Sequence, residues 1–177
     1  MRYYCWLLLC SCSLPLSSWA ESAWLDTARN YLHVRETSPN CSRDIERFLR
    51  SVRLPCGYAW CAAFVRYCLD AGRAVFPARS ASARAYITRK SIAAKHVVKG
   101  YRTIERGWLA VWTHSQLWTG HIGFIERPGN RTIVTIEGNT SSGDGVNRDG
   151  DGVYRRTRTI PIVASTRLQL RWFTPVQ

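Results

Sequence analysis

The stretch that decides the fold is 55–72, PCGYAWCAAFVRYCLDAG. Pro55 and Gly57 interrupt regular structure at its beginning, and Gly72 is a natural helix stop. Between them, apolar residues recur at i, i+3, i+4, i+7 and i+8, which is the spacing of one helix face. The residues on that face are Cys61, Phe64, Val65, Cys68 and Leu69. The stretch therefore predicts a turn followed by a short amphipathic helix that begins at Cys61.

Cys61 has two interpretations at this position. As part of the apolar stripe it is a small buried core residue. As the first residue of a helix it lies among unpaired backbone N–H groups, where the helix dipole stabilises a thiolate. Trp60 precedes it, and a bulky ring at a junction between loop and helix can form the wall of a cleft. The second interpretation, a nucleophile, is favoured if a histidine and a carboxylate follow at a suitable spacing.

Such a pair occurs in the best predicted hairpin of the chain. The strands are 121–126 and 132–137, and the residues Arg-Pro-Gly-Asn between them are typical of a turn. A three-residue loop, 128–130, would place His121 opposite Glu137, with Asn139 as a diagonal neighbour. A carboxylate or amide beside the imidazole would fix its tautomer and orientation. The alternatives are a one-residue change of register, which separates the two, and an ordinary polar pair at a sheet edge.

The remaining elements divide the chain into a helical first half and a strand-rich second half. Two further helices are predicted, at 22–31 and 42–52, before the Cys61 helix. Further strands are predicted at 109–113, 152–158 and 168–173, while 76–100 reads as a loop with a short helix of uncertain position. Helices followed by an antiparallel sheet predict an α+β fold.

The first twenty residues resemble a secretory signal peptide. Arg2 supplies a positive charge, a short apolar run follows, and Ser18 and Ala20 place small residues before a cleavage site ahead of Glu21. We therefore expect a secreted or periplasmic protein whose residues 21–177 form one domain. The alternative is a lipid anchor at Cys12, within a loose lipobox-like sequence.

The charge of the chain indicates an anionic partner. The formal net charge is +13, and all but three of the 25 basic residues are arginine. For an exported protein the candidates are peptidoglycan carboxylates or another anionic envelope surface. The export signal and the absence of a nucleic-acid-binding motif argue against nucleic acid. The alternative is a solvated basic surface without a specific partner.

The cysteines and tryptophans of the chain give further expectations. Cys41 and Cys56 bracket a helix of about twelve residues, roughly 18 Å long. Because a disulfide needs Cα atoms within about 7 Å, we expect them not to pair unless the chain doubles back. Cys68 is predicted to be a core residue. The three tryptophans near the hairpin could stack on sugar rings, but core packing is the more common role; they are Trp108, Trp112 and Trp118.

No metal or other cofactor is expected. Three histidines lack the spacing of zinc ligands; they are His33, His96 and His114. The segment 147–152, NRDGDG, resembles the start of a calcium loop, but the position of its bidentate glutamate is occupied by Arg158. A glycine-rich turn before a strand is the better interpretation.

Three motifs together resemble the CHAP family, the cysteine, histidine-dependent amidohydrolases/peptidases. They are WCAAFVRYCLDAG at 60–72, GHIGFIE at 120–126, and TIEGNTSSG at 135–143 followed by GDGVYRRTR at 150–158. The resemblance implies a papain-like fold with Cys61 as nucleophile, His121 as general base and Glu137 as the residue that orients it. Asn139 would assist or take that role, since the family uses either an acid or an amide there. Tyr58 and Trp60 are expected to line the substrate cleft.

The implied activity is acyl transfer at amide bonds of peptidoglycan by a monomer. The resemblance leaves open which bond is cut, the muramoyl–alanine amide or a bond within the stem or cross-bridge. The alternative from another functional class is a non-catalytic module that binds the wall or assists envelope assembly. That alternative predicts that Cys61 is dispensable.

Overall fold

The computed structural model of the protein describes residues 22–143, 150–163, 165 and 167–177. The predicted signal peptide, 1–20, and the alternative lipid anchor at Cys12 lie outside these residues, as do residues 147–149, the first half of the calcium-like segment. None of the described helices combines the length and the apolar character needed to cross a membrane.

The protein has an α+β fold with an antiparallel sheet, as predicted; three helices precede the strands, and a fourth, short helix lies between the first two strands. The helices are α1 (Ala23–Asn30), α2 (Arg43–Ser51), α3 (Cys61–Ala71) and α4 (Ala94–Val98), with a 3-10 turn at Ala83–Tyr86. The strands are β1 (Ile92–Ala93), β2 (Leu109–Thr113), β3 (Gly120–Arg127), β4 (Thr132–Thr140), β5 (Gly152–Thr159) and β6 (Gln169–Thr174). Across the described residues they form one sheet in the order β1-β6-β2-β3-β4-β5, with antiparallel neighbours throughout.

Helix α3 is the central helix, and it begins at Cys61 as predicted. Its apolar stripe is buried, and so are residues outside the stripe such as Ala62 and Ala63. The helix ends at Gly72, where an added Cβ would lie only 2.4 Å from the backbone nitrogen of Trp24. The missing side chain of Gly72 therefore lets α1 approach the end of α3 closely.

Apolar residues are buried on both faces of the sheet. Helices α1, α2 and α3 share one cluster with inward residues of β2, β3 and β4, including Phe124 and Ile136. Helix α4 and the strands near it form a second cluster, which contains Trp112 and Phe173. The sheet is thus covered on both sides, and this double cover explains why all five residues of β2 are buried.

The register of the β3–β4 hairpin differs from the prediction. Glu137 pairs with Gly123 rather than with His121, and Arg127 pairs with Val134. The difference has a local cause: the loop is longer than three residues, and the register shifts between Ile125 and Arg127. Near the site the shift equals two residues, so Glu137 stays on the sheet face of His121 and becomes its diagonal neighbour.

The expectation that Cys41 and Cys56 do not pair is wrong. They form a disulfide with their Cα atoms 5.1 Å apart. The chain doubles back after α2, where Arg53 adopts a left-handed φ of 63° and the Leu54 N–H bonds to the Leu49 carbonyl. The return brings Cys56 beside the start of α2, where Cys41 lies.

Candidate active site

Cys61 lies in the wall of an open cleft of about 520 Å³. Its side chain is largely buried, since only 7% of the residue is exposed. It is one of two free cysteines among the described residues, the other being Cys68 in the core. Burial raises the pKa of the Cys68 thiol, as is typical of an unreactive core cysteine. The cleft is lined by Leu54, Gly57, Tyr58, Ala59, Cys61, Ser80, Ala81, Ser82, Ala83, Trp118, Thr119 and Gly120.

His121 is fully buried on β3 and forms a hydrogen bond to Glu137 on β4. The distance from His121 Nε2 to Glu137 Oε2 is 2.9 Å. The ring also meets Trp112, its partner on β2, edge to face with 5.5 Å between ring centroids. These contacts hold the imidazole in one orientation, with Nε2 directed toward the carboxylate.

Gly123 allows this hydrogen bond to form across the diagonal. A Cβ at this position would lie 2.5 Å from Glu137 Cγ and 2.8 Å from the Ile136 carbonyl oxygen. The missing side chain therefore leaves room for Glu137 to lie across its neighbour and reach His121. This is a physical reason for the second glycine of the Gly-His-Ile-Gly sequence at 120–123.

Arg158 on β5 binds the same carboxylate through two hydrogen bonds. Its Nε donates to Oε1 of Glu137 over 2.8 Å, and its Nη2 donates to Oε2 over 2.6 Å. The Thr135 hydroxyl also donates to Oε1. Burial alone would raise the pKa of Glu137, but the hydrogen bonds from Arg158, and then from His121, outweigh burial and lower it to about 2. Glu137 is therefore held as an anion.

The second ring nitrogen of His121 is the one available to Cys61. Nδ1 is buried and makes no hydrogen bond of good geometry within the part of the chain that the structure describes. Burial lowers the pKa of His121, but hydrogen bonding to Cys61 and Glu137 and the charges of both groups raise it by more, to about 9. The site thus favours a protonated imidazole between a thiol group and a carboxylate.

Asn139 connects this end of β4 to the start of α3. Its Oδ1 accepts a hydrogen bond of 2.6 Å from the Trp60 N–H, and its Nδ2 donates to the Gly150 carbonyl over 3.3 Å. Its own backbone has a left-handed φ of 54°, which asparagine adopts more readily than most residues. These bonds fix the residue before Cys61 relative to the strand that carries Glu137.

Of the two residues expected to line the cleft, only one does so in the structure. Tyr58 lines it and is half exposed. Trp60 does not: its ring is fully buried, packs near Phe48 and Phe64, and donates from Nε1 to Glu36 Oε1 over 3.0 Å. The expectation for Trp60 is corrected accordingly, because its ring enters the core and its indole N–H finds an internal acceptor.

The tryptophans near the hairpin differ in their burial. Trp112 is buried, as core packing predicts, and Trp108 packs against the second apolar cluster. Trp118 is instead 78% exposed and lines the cleft, so core packing is the wrong interpretation for this residue. Among the described residues no three His, Cys, Asp or Glu side chains gather where they could hold a metal ion.

Sequence reasoning missed Arg158 as part of the site, although strand alternation could have indicated it. On β4 and β5 the pairs Glu137–Tyr154, Thr135–Arg156 and Ile133–Arg158 place alternate residues on one face. An arginine on the face of a buried glutamate is a natural partner for it. The register needed for that inference, however, was not available from the sequence.

One comparison with known proteins gives a match. The CHAP domain family model matches residues 54–139, which include all of α3, the β3–β4 hairpin except Thr140, and all of the cleft residues. Neither the curated proteins nor the solved structures contain a significant match to this chain.

Proposed function

We propose that the chain is a member of the CHAP domain family, whose model matches residues 54–139 and whose members are peptidoglycan hydrolases and amidases, and that it is an exported cysteine hydrolase. Its substrates are amide bonds of peptidoglycan stem peptides. One observation carries the proposal: a buried series of hydrogen bonds runs from Arg158 through Glu137 to His121 and leaves Nδ1 of His121 as the ring nitrogen available to Cys61 at the cleft.

In the proposed acylation step, Cys61 reacts as a thiolate paired with the His121 imidazolium. The sulfur attacks the carbonyl carbon of the amide, and a C–S bond forms. The negative charge that develops on the carbonyl oxygen is stabilised by backbone N–H groups at the start of α3, which lack partners within the helix. His121 gives its Nδ1 proton to the leaving amine as the C–N bond breaks, which leaves a thioester on Cys61.

In the deacylation step, neutral His121 takes a proton from water, and the hydroxide adds to the thioester. The C–S bond then breaks, the product leaves as a carboxylic acid, and Cys61 and His121 return to their starting charges. Glu137 stays ionised throughout because Arg158 holds it as an anion, so its role is to orient the ring and stabilise the imidazolium. Asn139 positions the start of α3 through the Trp60 N–H.

The proposal includes export to an oxidising compartment and contact with an anionic envelope. Residues 1–20 are proposed to be a cleaved signal peptide and 21–177 a single catalytic domain that acts as a monomer. The Cys41–Cys56 disulfide is compatible with an oxidising compartment. The net charge of +13 favours contact with an anionic envelope.

The test is digestion of purified peptidoglycan sacculi by the unmodified protein, by Cys61→Ser and by Cys68→Ala, with products identified by mass spectrometry. Cys68→Ala is the matched control because it removes the other free thiol of α3 and leaves the cleft unchanged. We expect muropeptide release by the unmodified protein and by the control, and none by Cys61→Ser. Release by Cys61→Ser at the same rate would reject the proposed nucleophile.

A third outcome supports the other functional class. If none of the three proteins releases fragments and all of them bind sacculi equally, the domain is a wall-binding module. Circular dichroism of each variant establishes that it is folded before the digestion is interpreted.

A further inference from the structure

Trp118 and Tyr58 are the exposed aromatic residues of the cleft that contains Cys61. We propose that they form a stacking site for a sugar ring, and that the bond cut is therefore the amide joining the glycan strand to the first residue of the stem peptide. This inference rests on the proposed function and names the bond that the function leaves open.

Trp118 lies on a loop whose backbone is held by several side-chain hydrogen bonds. Arg84 Nη1 donates to the carbonyl oxygens of His114 and Leu117 over 2.9 and 3.1 Å. The His114 Nδ1 atom accepts hydrogen bonds from the backbone N–H groups of Gln116 and Leu117, both 3.2 Å long. The backbone just before Trp118 is thus held by side-chain hydrogen bonds while the indole remains 78% exposed at the cleft. A large apolar ring held in solvent beside a reactive side chain indicates a binding role.

The chemistry of the lining supports an uncharged ligand. Although the chain has a net charge of +13, none of the twelve residues around the cleft carries a charged side chain. Apart from the two aromatic rings, most of the lining consists of alanine, glycine, serine and threonine. Aromatic faces and a few hydroxyl groups suit a neutral sugar ring. The small residues leave space for a methyl side chain such as that of alanine.

The glycan end of the peptide stem has this chemistry. There the lactyl group of a muramic acid residue is joined through an amide to an alanine. Residues further along the stem carry free carboxylates, for which an arginine or lysine would be the natural partner, and the lining offers neither. A substrate bound with its sugar on Trp118 and its alanine in the small-residue part of the cleft presents the lactyl carbonyl to Cys61.

The step follows the proposed mechanism with the bond now specified. The C–N bond between the lactyl carbonyl and the alanine nitrogen breaks, a C–S bond to Cys61 forms, and the alanine leaves as a free amine with the proton from His121. Water then hydrolyses the thioester, so the sugar retains a lactyl carboxylate. The products are an unmodified stem peptide and a glycan without it.

The experiment uses two defined substrates and the purified protein. The first is a disaccharide–tetrapeptide muropeptide, and the second is a cross-linked dimer of the same stem peptide without sugar. Trp118→Ala is compared with Trp118→Phe, which keeps an aromatic face, and with Leu117→Ala, a control at the exposed neighbouring residue. Products are identified by mass spectrometry, and kcat and KM are measured separately.

We expect a free stem peptide with an alanine amine from the muropeptide, and no cleavage of the sugar-free dimer. Trp118→Ala should lower kcat/KM at least tenfold, mainly through KM, whereas Trp118→Phe should lower it less than threefold and Leu117→Ala should not change it. Fragments cut within the stem or the cross-link, lost in Cys61→Ser, would overturn this inference and leave the proposed function intact. Equal rates for Trp118→Ala and the unmodified protein would also overturn it. No Cys61-dependent fragment from either substrate or from sacculi would reject the proposed function as well.

Discussion

Replacing Arg158 with methionine should destabilise the protein in a way that depends on pH. The substitution keeps an unbranched side chain of similar length but leaves the fully buried carboxylate of Glu137 without its two strongest donors. The pKa of Glu137 in the folded protein, about 2, lies roughly 2.5 units below its ordinary 4.5. At about 1.4 kcal/mol per unit, this corresponds to about 3 kcal/mol of stability at pH 7 from Arg158 and His121 together, with the Arg158 hydrogen bonds the larger contribution. Breaking buried ion pairs costs a similar amount in other proteins, about 3–5 kcal/mol.

The sign of the pH dependence follows from the lowered pKa. A carboxyl group with a lowered folded pKa contributes stability above its unfolded pKa of 4.5, and this stability is lost as pH falls toward 2. The penalty of Arg158→Met should therefore be largest at pH 7 and smaller by about 1 kcal/mol at pH 3.5, where the unfolded carboxyl is already protonated. Loss of packing alone would give a penalty that does not vary with pH.

Urea unfolding at the two pH values measures this difference. Arg127→Met, at an exposed arginine on the end of β3, is the matched control and should change the free energy of unfolding by less than about 0.5 kcal/mol. Arg158→Lys should recover part of the stability because it restores the charge without the paired geometry. A penalty for Arg158→Met that is below about 1 kcal/mol at pH 7, or that is equal at both pH values, would refute the reasoning.

Three further predictions follow from the site and its supports. Gly123→Ala should lower kcat/KM by on the order of 100-fold, because the added methyl group would displace Glu137. Hydrolysis should decline as pH rises through about 9, where His121 loses its proton, and Glu137→Gln should move this decline to lower pH because it removes the anion that favours the imidazolium. Changing Cys41 and Cys56 together to serine should lower the free energy of unfolding by about 3 kcal/mol, as expected for a loop of this length. Rate measurements with a muropeptide test the first two, and chemical unfolding tests the third.

Each of these predictions has a result that contradicts it. Gly143→Ala is the control for Gly123→Ala, since the nearest atom to its added Cβ would be 4.0 Å away, and equal rates for the two variants would remove the steric argument. An alkaline limit that does not move in Glu137→Gln would mean that His121 is not the titrating group. Unchanged stability of the double serine variant would show that the loop gains nothing from the disulfide.

Patterns within one element were sufficient to predict most of the fold. The apolar spacing after Gly57 placed the start of α3 at Cys61, and the alternating strands and the turn sequence 127–130 gave the β3–β4 hairpin. Such patterns succeed because the burial of one face constrains every residue on it. The hairpin also placed His121 and Glu137 on one face of the sheet, whereas the inclusion of Cys61 with them rested on the resemblance to the CHAP family.

Features that depend on how the chain returns upon itself could not be predicted. The exact pairing of His121 and Glu137 depended on a register shift inside the hairpin, which a turn sequence does not encode. The disulfide required the reversal after α2 at Arg53. Trp60 is buried because its indole N–H has an internal acceptor, whereas Trp118 is exposed. Composition gives no information about which of the two rings is buried.

The site is larger than the segment that matches the family. The match ends at residue 139, yet Arg158, which holds Glu137 as an anion, lies on the next strand of the sheet. At the other end, Cys41 precedes the match and is joined to Cys56, whose loop leads into Cys61. Residues 54–139 alone would thus lack the partner of a buried carboxylate and one half of the disulfide. The candidate site therefore depends on residues from at least Cys41 to Arg158, because the buried carboxylate of Glu137 needs its charged partner and the loop before Cys61 is joined to Cys41 by the disulfide.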